Sequence, residues 1–175
     1  MKAGRITVST RKFEVKDIPM PTPGYGEVRI KVGAAGVCLS DVHFLDGTLS
    51  PGYLKSDEVT LGHEVAGTIE ALGNAVHTFT VGDRVLVIAG ERNQDNQITT
   101  LGFDYDGGYA EYVIAKASLI VKIPDSLPFE EAAIIPDAVS TPWAAITSTA
   151  KMHKDRKSTR LNSSHSSVSR MPSSA

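Results

Sequence analysis

Between Arg5 and about Val37, apolar residues recur at every second position in short bursts. Ile6 and Val8 alternate with polar neighbours, and Glu27-Val-Arg-Ile-Lys-Val sets Val28, Ile30 and Val32 on one side of the backbone. A period of two is that of a strand with one face in a core and the other in water. Pro19-Met-Pro-Thr-Pro-Gly-Tyr-Gly interrupts the alternation. Its three prolines remove amide donors and fix φ, so a connecting loop is predicted there. Further strands are predicted at 64–72, 84–88, 109–114 and 119–122, with turn chemistry between them at Gly73-Asn74, Gly82-Asp83 and Gly107-Gly108. Helical signals come late. Pro128 precedes Phe129-Glu-Glu-Ala-Ala, which puts proline and acids where a first helical turn favours both. Thr141-Pro142 ahead of Trp143-Ala-Ala-Ile repeats the signal, with Thr141 as the N-cap. Many short strands with glycine turns and few helices predict a mainly β fold, a small irregular barrel or sandwich.

At 175 residues the chain is long enough for one domain with a proper core and too short for two full ones. A net charge of −2 argues against nucleic acid or an anionic membrane as a dedicated partner. That total conceals an asymmetry: residues 156–175 hold Arg156, Lys157, Arg160 and Arg170 and no acid, so without those four cations the −2 becomes −6. The single cysteine, Cys38, excludes an internal disulfide and points to a reducing compartment. The residues after Met1 lack the apolar core of a signal peptide, and runs such as Val85 to Ala89 fall far short of the ~20 residues that cross a bilayer. The expectation is a soluble, cytoplasmic protein.

The last nineteen residues, from Lys157, include eight serines. Such a stretch has too little apolar surface to offset the entropy of ordering it. A flexible linker is one reading. The stretch also resembles translated sequencing-adaptor sequence. The expected organisation is a domain over residues 1–150, the start of a truncated connection at 151–156, and a disordered, artefactual tail at 157–175.

Two clusters carry candidate chemistry. Gly36-Val37-Cys38-Leu39-Ser40-Asp41-Val42-His43 packs a thiol, a hydroxyl, a carboxylate and an imidazole into six positions, and Gly62-His63-Glu64 stands where a strand should begin. Zinc favours thiolate and imidazole ligands, and a catalytic site uses three protein ligands and one open position. Cys38 and His63 supply two. Asp137 is the third candidate, a carboxylate in the apolar run Ala132-Ala-Ile-Ile-Pro-Asp-Ala-Val where an unpaired charge is costly. Simpler readings stand beside these: Cys38 as a small buried apolar residue, Asp137 as a helix cap, and His43 as a polar residue on a short helix. His77, His153 and His165 show no partners.

Four motifs occur in order: Gly36-x-Cys38-x-Ser40-Asp41-x-His43, Gly62-His63-Glu64-x-x-Gly67, Val81-Gly82-Asp83-Arg84-Val85 and Asp106-Gly107-Gly108-x-Ala110-Glu111-Tyr112. Together they resemble the catalytic domain of the zinc-dependent medium-chain alcohol dehydrogenases, over about residues 4–155. The fold implied is a GroES-like irregular β-barrel with a few short helices. The resemblance implies a zinc held by Cys38, His63 and Asp137; the family's third ligand is usually cysteine, and some members use aspartate. It implies that Ser40 takes the proton of an alcohol and His43 hands it to solvent, that Asp41 orients the ligating histidine, and that Glu64 approaches the metal during ligand exchange. Thr141 matches a threonine that contacts the nicotinamide of NAD or NADP. Trp143 and Phe44 have packing as their leading role, with a substrate pocket as the other. A small alcohol or carbonyl substrate and a homo-oligomeric full-length form are further implications.

Two departures from the family stand out. Residues 89–106, where many relatives carry four cysteines for a structural zinc, contain none, so one catalytic zinc and no structural zinc are expected. After Ala144-Ala-Ile-Thr-Ser-Thr-Ala the family continues into a Rossmann domain with a glycine-rich fingerprint. No such fingerprint follows here, so the cofactor domain is expected to be absent from this chain, and the chain by itself is expected not to turn over. Two other readings remain. A zinc-free quinone or enoyl reductase relative lacks the ligands that Cys38 and His63 supply here. A non-catalytic GroES-like binding module leaves the Cys–Ser–Asp–His cluster without a purpose.

Overall fold

The computed structural model describes residues 1–92 and 95–151. It divides into two compact units, Met1–Thr141 and Pro142–Ala175. The first is mainly β, as expected for a GroES-like domain.

Its largest sheet has five strands in the order β10-β6-β5-β3-β9: β3 (Glu27–Gly36), β5 (Glu64–Leu72), β6 (Arg84–Val87), β9 (Tyr112–Lys116) and β10 (Ile120–Lys122). A second sheet has the order β2-β1-β4, from β1 (Lys2–Thr7), β2 (Lys12–Asp17) and β4 (Glu58–Thr60). A hairpin of β7 (Gly90–Arg92) and β8 (Ile98–Thr100) lies in the cysteine-free stretch. Every strand pair is antiparallel.

Alternation explains the main core. Val28 and Ile30 of β3, Val65 and Ile69 of β5, Val85 and Val87 of β6, and Val113 of β9 point into one cluster. Strand β5 is buried on both faces. Its Ala66 turns the other way, to pack with Leu86, Ile123, Ala132 and Ala133 under helix α2 (Phe129–Ala133). A third cluster joins Ile6, Val59 and Leu61 to Phe44 and Phe103, whose rings stack 5.2 Å apart. Phe44 is therefore a packing residue.

The loop at residues 19–26 and the strand at Glu64–Leu72 form where the sequence predicts them. The strand predicted at 109–114 instead begins at Tyr112. Tyr109 and Ala110 are diverted to other partners: the Tyr109 N–H donates to Leu61 O, Gly4 N–H donates to Tyr109 O, and Ala3 bridges Ala110. Only then does the chain join β3.

The helical start at Thr141 also needs correction. After α2 the chain stays helical through a π-helical turn, Ile135–Val139, into α3 (Ser140–Ala144), so Thr141 lies inside a helix and caps none. Pro136, which has no amide to donate, lies in the π-helical turn, where Val139 N–H bonds Ile134 O, five residues back, in place of the α-helical pattern. Asp137 is likewise inside this turn, whose N-cap is Ile134. The second unit contains the end of α3 and a π-helical turn, Ala145–Thr149, in which Thr147 Oγ1 donates to Trp143 O. The connection expected at 151–156 is described only at Lys151. The tail expected at 157–175, which includes His165, lies outside the described residues, as does His153. No helix among the described residues is long and apolar enough to cross a membrane.

Candidate metal centre

Strand register brings the two sequence clusters together. Gly36, the last residue of β3, pairs with Glu64, the first of β5. Cys38 follows that end of β3 by two residues and His63 precedes β5 by one, so both leave the sheet at the same edge. Gly36 is required there, because a Cβ on it would run into the Glu64 carboxylate. Cys38 is also the N-cap of helix α1 (Leu39–Asp46), whose third residue, Asp41, accepts the Cys38 N–H through Oδ2 at 3.0 Å. That bond satisfies one of the amides at the helix start and places an acid where the helix dipole favours it. The helix ends at Gly47 in the left-handed conformation.

The helical run after α2 delivers the third candidate ligand. Asp137 Oδ2 lies 3.3 Å from His63 Nε2 and 3.7 Å from Cys38 Sγ. Ligand atoms of Cys38, His63, Glu64 and Asp137 all fall within 4.8 Å of one another. Zinc sits ~2.0 Å from nitrogen or oxygen and ~2.3 Å from sulfur in a tetrahedron, which separates its ligand atoms by about 3.3–3.6 Å. The His63–Asp137 and Cys38–Asp137 separations, 3.3 and 3.7 Å, are close to that figure. The donor set of thiol, imidazole and carboxylate is one that zinc accepts.

Around these atoms the site is buried and acidic. Asp41, His63 and Glu64 are 2%, 3% and 2% exposed. Burial works against a charged His63, but the Asp41 carboxylate beside Nδ1 and the Cys38 sulfur outweigh it and lift the imidazole pKa to about 9. Burial pushes Asp41 up, and the neighbouring His63 imidazole with hydrogen bonds from Tyr109 and the Cys38 amide more than reverses that, leaving it below the ordinary carboxylate value. Glu64 is raised, chiefly by burial. Its Oε1 accepts the Ala138 N–H at 3.2 Å, which ties β5 to the residue after Asp137. Three carboxylates and a thiol thus converge on a single imidazole, an excess of negative charge that a divalent cation would neutralise.

Of the remaining sequence-predicted residues, Ser40 Oγ lies 3.5 Å from Cys38 Sγ, at the centre. His43 is three residues farther along α1, partly exposed, with Nδ1 facing Asp46 Oδ2 at 3.6 Å. Thr141 Oγ1 donates to Asp137 Oδ1 at 2.7 Å. Tyr109 carries no role in the sequence reading, yet its hydroxyl donates to Asp41 Oδ2 at 2.7 Å. The two residues are 68 positions apart, and only the motif Gly107-Gly108-Tyr109-Ala110-Glu111-Tyr112 marks the place.

Comparison with known proteins bears on this arrangement. The family model of the alcohol dehydrogenase GroES-like domain matches residues 24–125. An alcohol dehydrogenase of Geobacillus stearothermophilus is 36% identical over 159 residues, which cover 83% of this chain and 47% of that protein. A sorbitol dehydrogenase of Bacillus subtilis is 35% identical over 148 residues, 77% of this chain and 42% of that one. Among solved structures, acetophenone reductase from Geotrichum candidum in complex with NAD is 33% identical with a TM-score of 0.75, over 87% of this chain and 48% of that one. The chain spans about half the length of each of these relatives. Fold, motif order and sequence agree that this chain belongs to the alcohol dehydrogenase GroES-like domain family.

Proposed function

We propose that this chain supplies the metal-binding and proton-handling part of a zinc-dependent alcohol dehydrogenase that interconverts an alcohol and an aldehyde or ketone with NAD or NADP. One observation carries the reading: Asp137 Oδ2 lies 3.3 Å from His63 Nε2 and 3.7 Å from Cys38 Sγ, and the ligand atoms of all three residues lie within 4.8 Å of one another. Zinc bound there would supply a Lewis acid for the substrate oxygen, and a bound nicotinamide would supply the hydride acceptor or donor.

The chain's own residues do the rest. Cys38, His63 and Asp137 would hold the ion. Asp41, behind His63, keeps the imidazole turned so that Nε2 faces the centre. Ser40, beside Cys38, presents a hydroxyl that can take a proton from a substrate alcohol. His43, farther out on the same helix and partly exposed, passes that proton to solvent. Glu64 is a reserve ligand, held back by the Ala138 amide. The hydroxyl of Thr141 is engaged by Asp137, so a contact with the nicotinamide ring would fall to its methyl group.

Convergence of the three donors supports this reading over a metal-free reductase and over a non-catalytic binding module. Metal analysis of the purified chain tests it. Near one zinc per chain, lost in Cys38→Ala and in His63→Ala, is the expected result. A wild-type chain that takes up no zinc from micromolar solution would refute the reading.

A further inference from the structure

Tyr109 has no task in the scheme above, and its surroundings give it one. Its hydroxyl lies 2.7 Å from Asp41 Oδ2 and 3.0 Å from Gly36 O. It has one proton to give, and the carboxylate is the stronger acceptor. Asp41 Oδ2 also accepts the Cys38 N–H at 3.0 Å. With both donors on Oδ2, the other oxygen, Oδ1, is turned toward His63 Nδ1 at 3.5 Å. These two atoms are buried, and neither has a hydrogen-bond partner elsewhere. They are each other's only resource. An ionised carboxylate has no proton to offer, so Nδ1 is the donor of this pair, and Nε2 is the nitrogen turned toward the point shared with Cys38 and Asp137.

The same side chain braces the backbone of the ligand. Gly62, directly before His63, has φ +95°, and the Tyr109 ring and amide fill the space a Cβ would take there. Tyr109 N–H bonds to Leu61 O, and Gly108 N–H to Gly62 O. One residue therefore touches the chain that carries His63 and the carboxylate that faces it.

We infer that Tyr109 is a positioning residue for the metal centre: its hydroxyl clamps Asp41 through Oδ2, so that Oδ1 fixes His63 with Nε2 toward Cys38 and Asp137. The inference rests on the proposed zinc site. It assigns the effect to the hydroxyl, whereas ring packing alone would assign it to the ring.

Zinc affinity of the full chain, from competition with a chromophoric chelator, and the visible absorption of the cobalt(II)-substituted chain test it. Tyr109→Phe keeps the ring on Gly62 and removes the hydroxyl. Loss of a partner that orients a metal ligand costs 10–100-fold in metal affinity, and about 10-fold is expected here, with an altered cobalt spectrum and a metal-free chain that stays folded, its melting temperature lowered only by the lost hydrogen bond. Because Tyr109 acts through Asp41, adding Tyr109→Phe to Asp41→Asn should weaken binding no further. Wild-type affinity and spectrum in Tyr109→Phe, with loss only in Tyr109→Leu, would assign packing alone and overturn the inference. So would additive effects of the Asp41 and Tyr109 changes. A wild-type chain that binds neither ion removes the zinc reading and this inference together; a wild-type chain that binds both, beside an unaffected Tyr109→Phe, removes only the inference.

Discussion

Thr141 Oγ1 and Asp137 Oδ1 are 2.7 Å apart, one helical turn from each other. The hydroxyl occupies one oxygen of the carboxylate and leaves the other, Oδ2, facing His63 and Cys38. A carboxylate held in this way offers a metal one oxygen at a defined angle. Free to rotate, it would present either oxygen or both, and some of its affinity would go into selecting one arrangement.

Thr141→Val removes the hydroxyl and keeps the shape, so it should release Oδ1. Zinc affinity is expected to fall by about 10-fold, the lower end of the range for loss of a residue that orients a ligand. Thr141→Ser should restore most of it. Chelator competition on the three chains reads the effect, and equal affinities throughout would show that the hydrogen bond does not matter to the metal.

How much of this centre was legible in the sequence differs residue by residue. Cys38, His63 and Asp137 stood out as candidates because a thiol, an imidazole and a carboxylate in apolar or strand-edge surroundings need a reason to be there. The register Gly36 against Glu64 that joins two of them is a long-range pairing, which no local pattern encodes. The strand 64–72 was legible from its apolar run and the turn after it. β4, β7 and β8 have three residues each, too few to show a period. In β2 the alternation is inverted, since Phe13 and Val15 face outward on an edge strand, with Val15 68% exposed. Thr141 looked like a cap because Thr-Pro usually opens a helix. The helix had already begun, and the hydroxyl found Asp137 instead. Tyr109 was invisible because its partner is fixed only by the crossing of two chain segments.

Proton linkage at His63 has a definite sign. In the metal-free chain burial opposes the imidazolium, while Asp41 and Cys38 favour it more strongly and set the folded value at about 9 against 6.5 for a free histidine. A raised pKa stabilises the fold fully below about pH 6.5 and loses that contribution as pH climbs through 9. Metal-free wild type should therefore lose melting temperature across pH 6.5–9 more steeply than His63→Gln. Zinc must displace that proton as well as any that the Cys38 thiol gives up, so calorimetry at pH 7 in buffers of different ionisation enthalpy should show about one more proton released per zinc in wild type than in Asp41→Asn. Equal release in the two would mean that the carboxylate does not control His63.

Gly62 tests the scaffold apart from the chemistry. Its φ of +95° lies where side chains are strained, and a Cβ there would press on the Tyr109 ring and main chain. Gly62→Ala should destabilise the metal-free chain by about 1–3 kcal/mol through overpacking, with backbone strain in addition. Urea melts measure it. A change below about 0.5 kcal/mol, the scale of neutral surface substitutions, would show that the loop moves aside and that Tyr109 is not tightly seated.

Asp137→Cys exchanges the carboxylate for the thiolate that most of the family is expected to carry at this place. A soft sulfur ligand binds zinc more tightly than a hard oxygen and donates more charge to it. Zinc affinity should rise by about 10-fold or more while the ion becomes a weaker Lewis acid. The cobalt-substituted chain should show this directly, as a stronger sulfur-to-metal charge-transfer band in the near ultraviolet. Thr141 then loses its partner on Oδ1, so Thr141→Val, harmful beside Asp137, should be nearly neutral beside the cysteine. If the cysteine variant bound zinc no better than wild type, or if Thr141→Val cost the same in both backgrounds, Asp137 would not be acting as the third ligand.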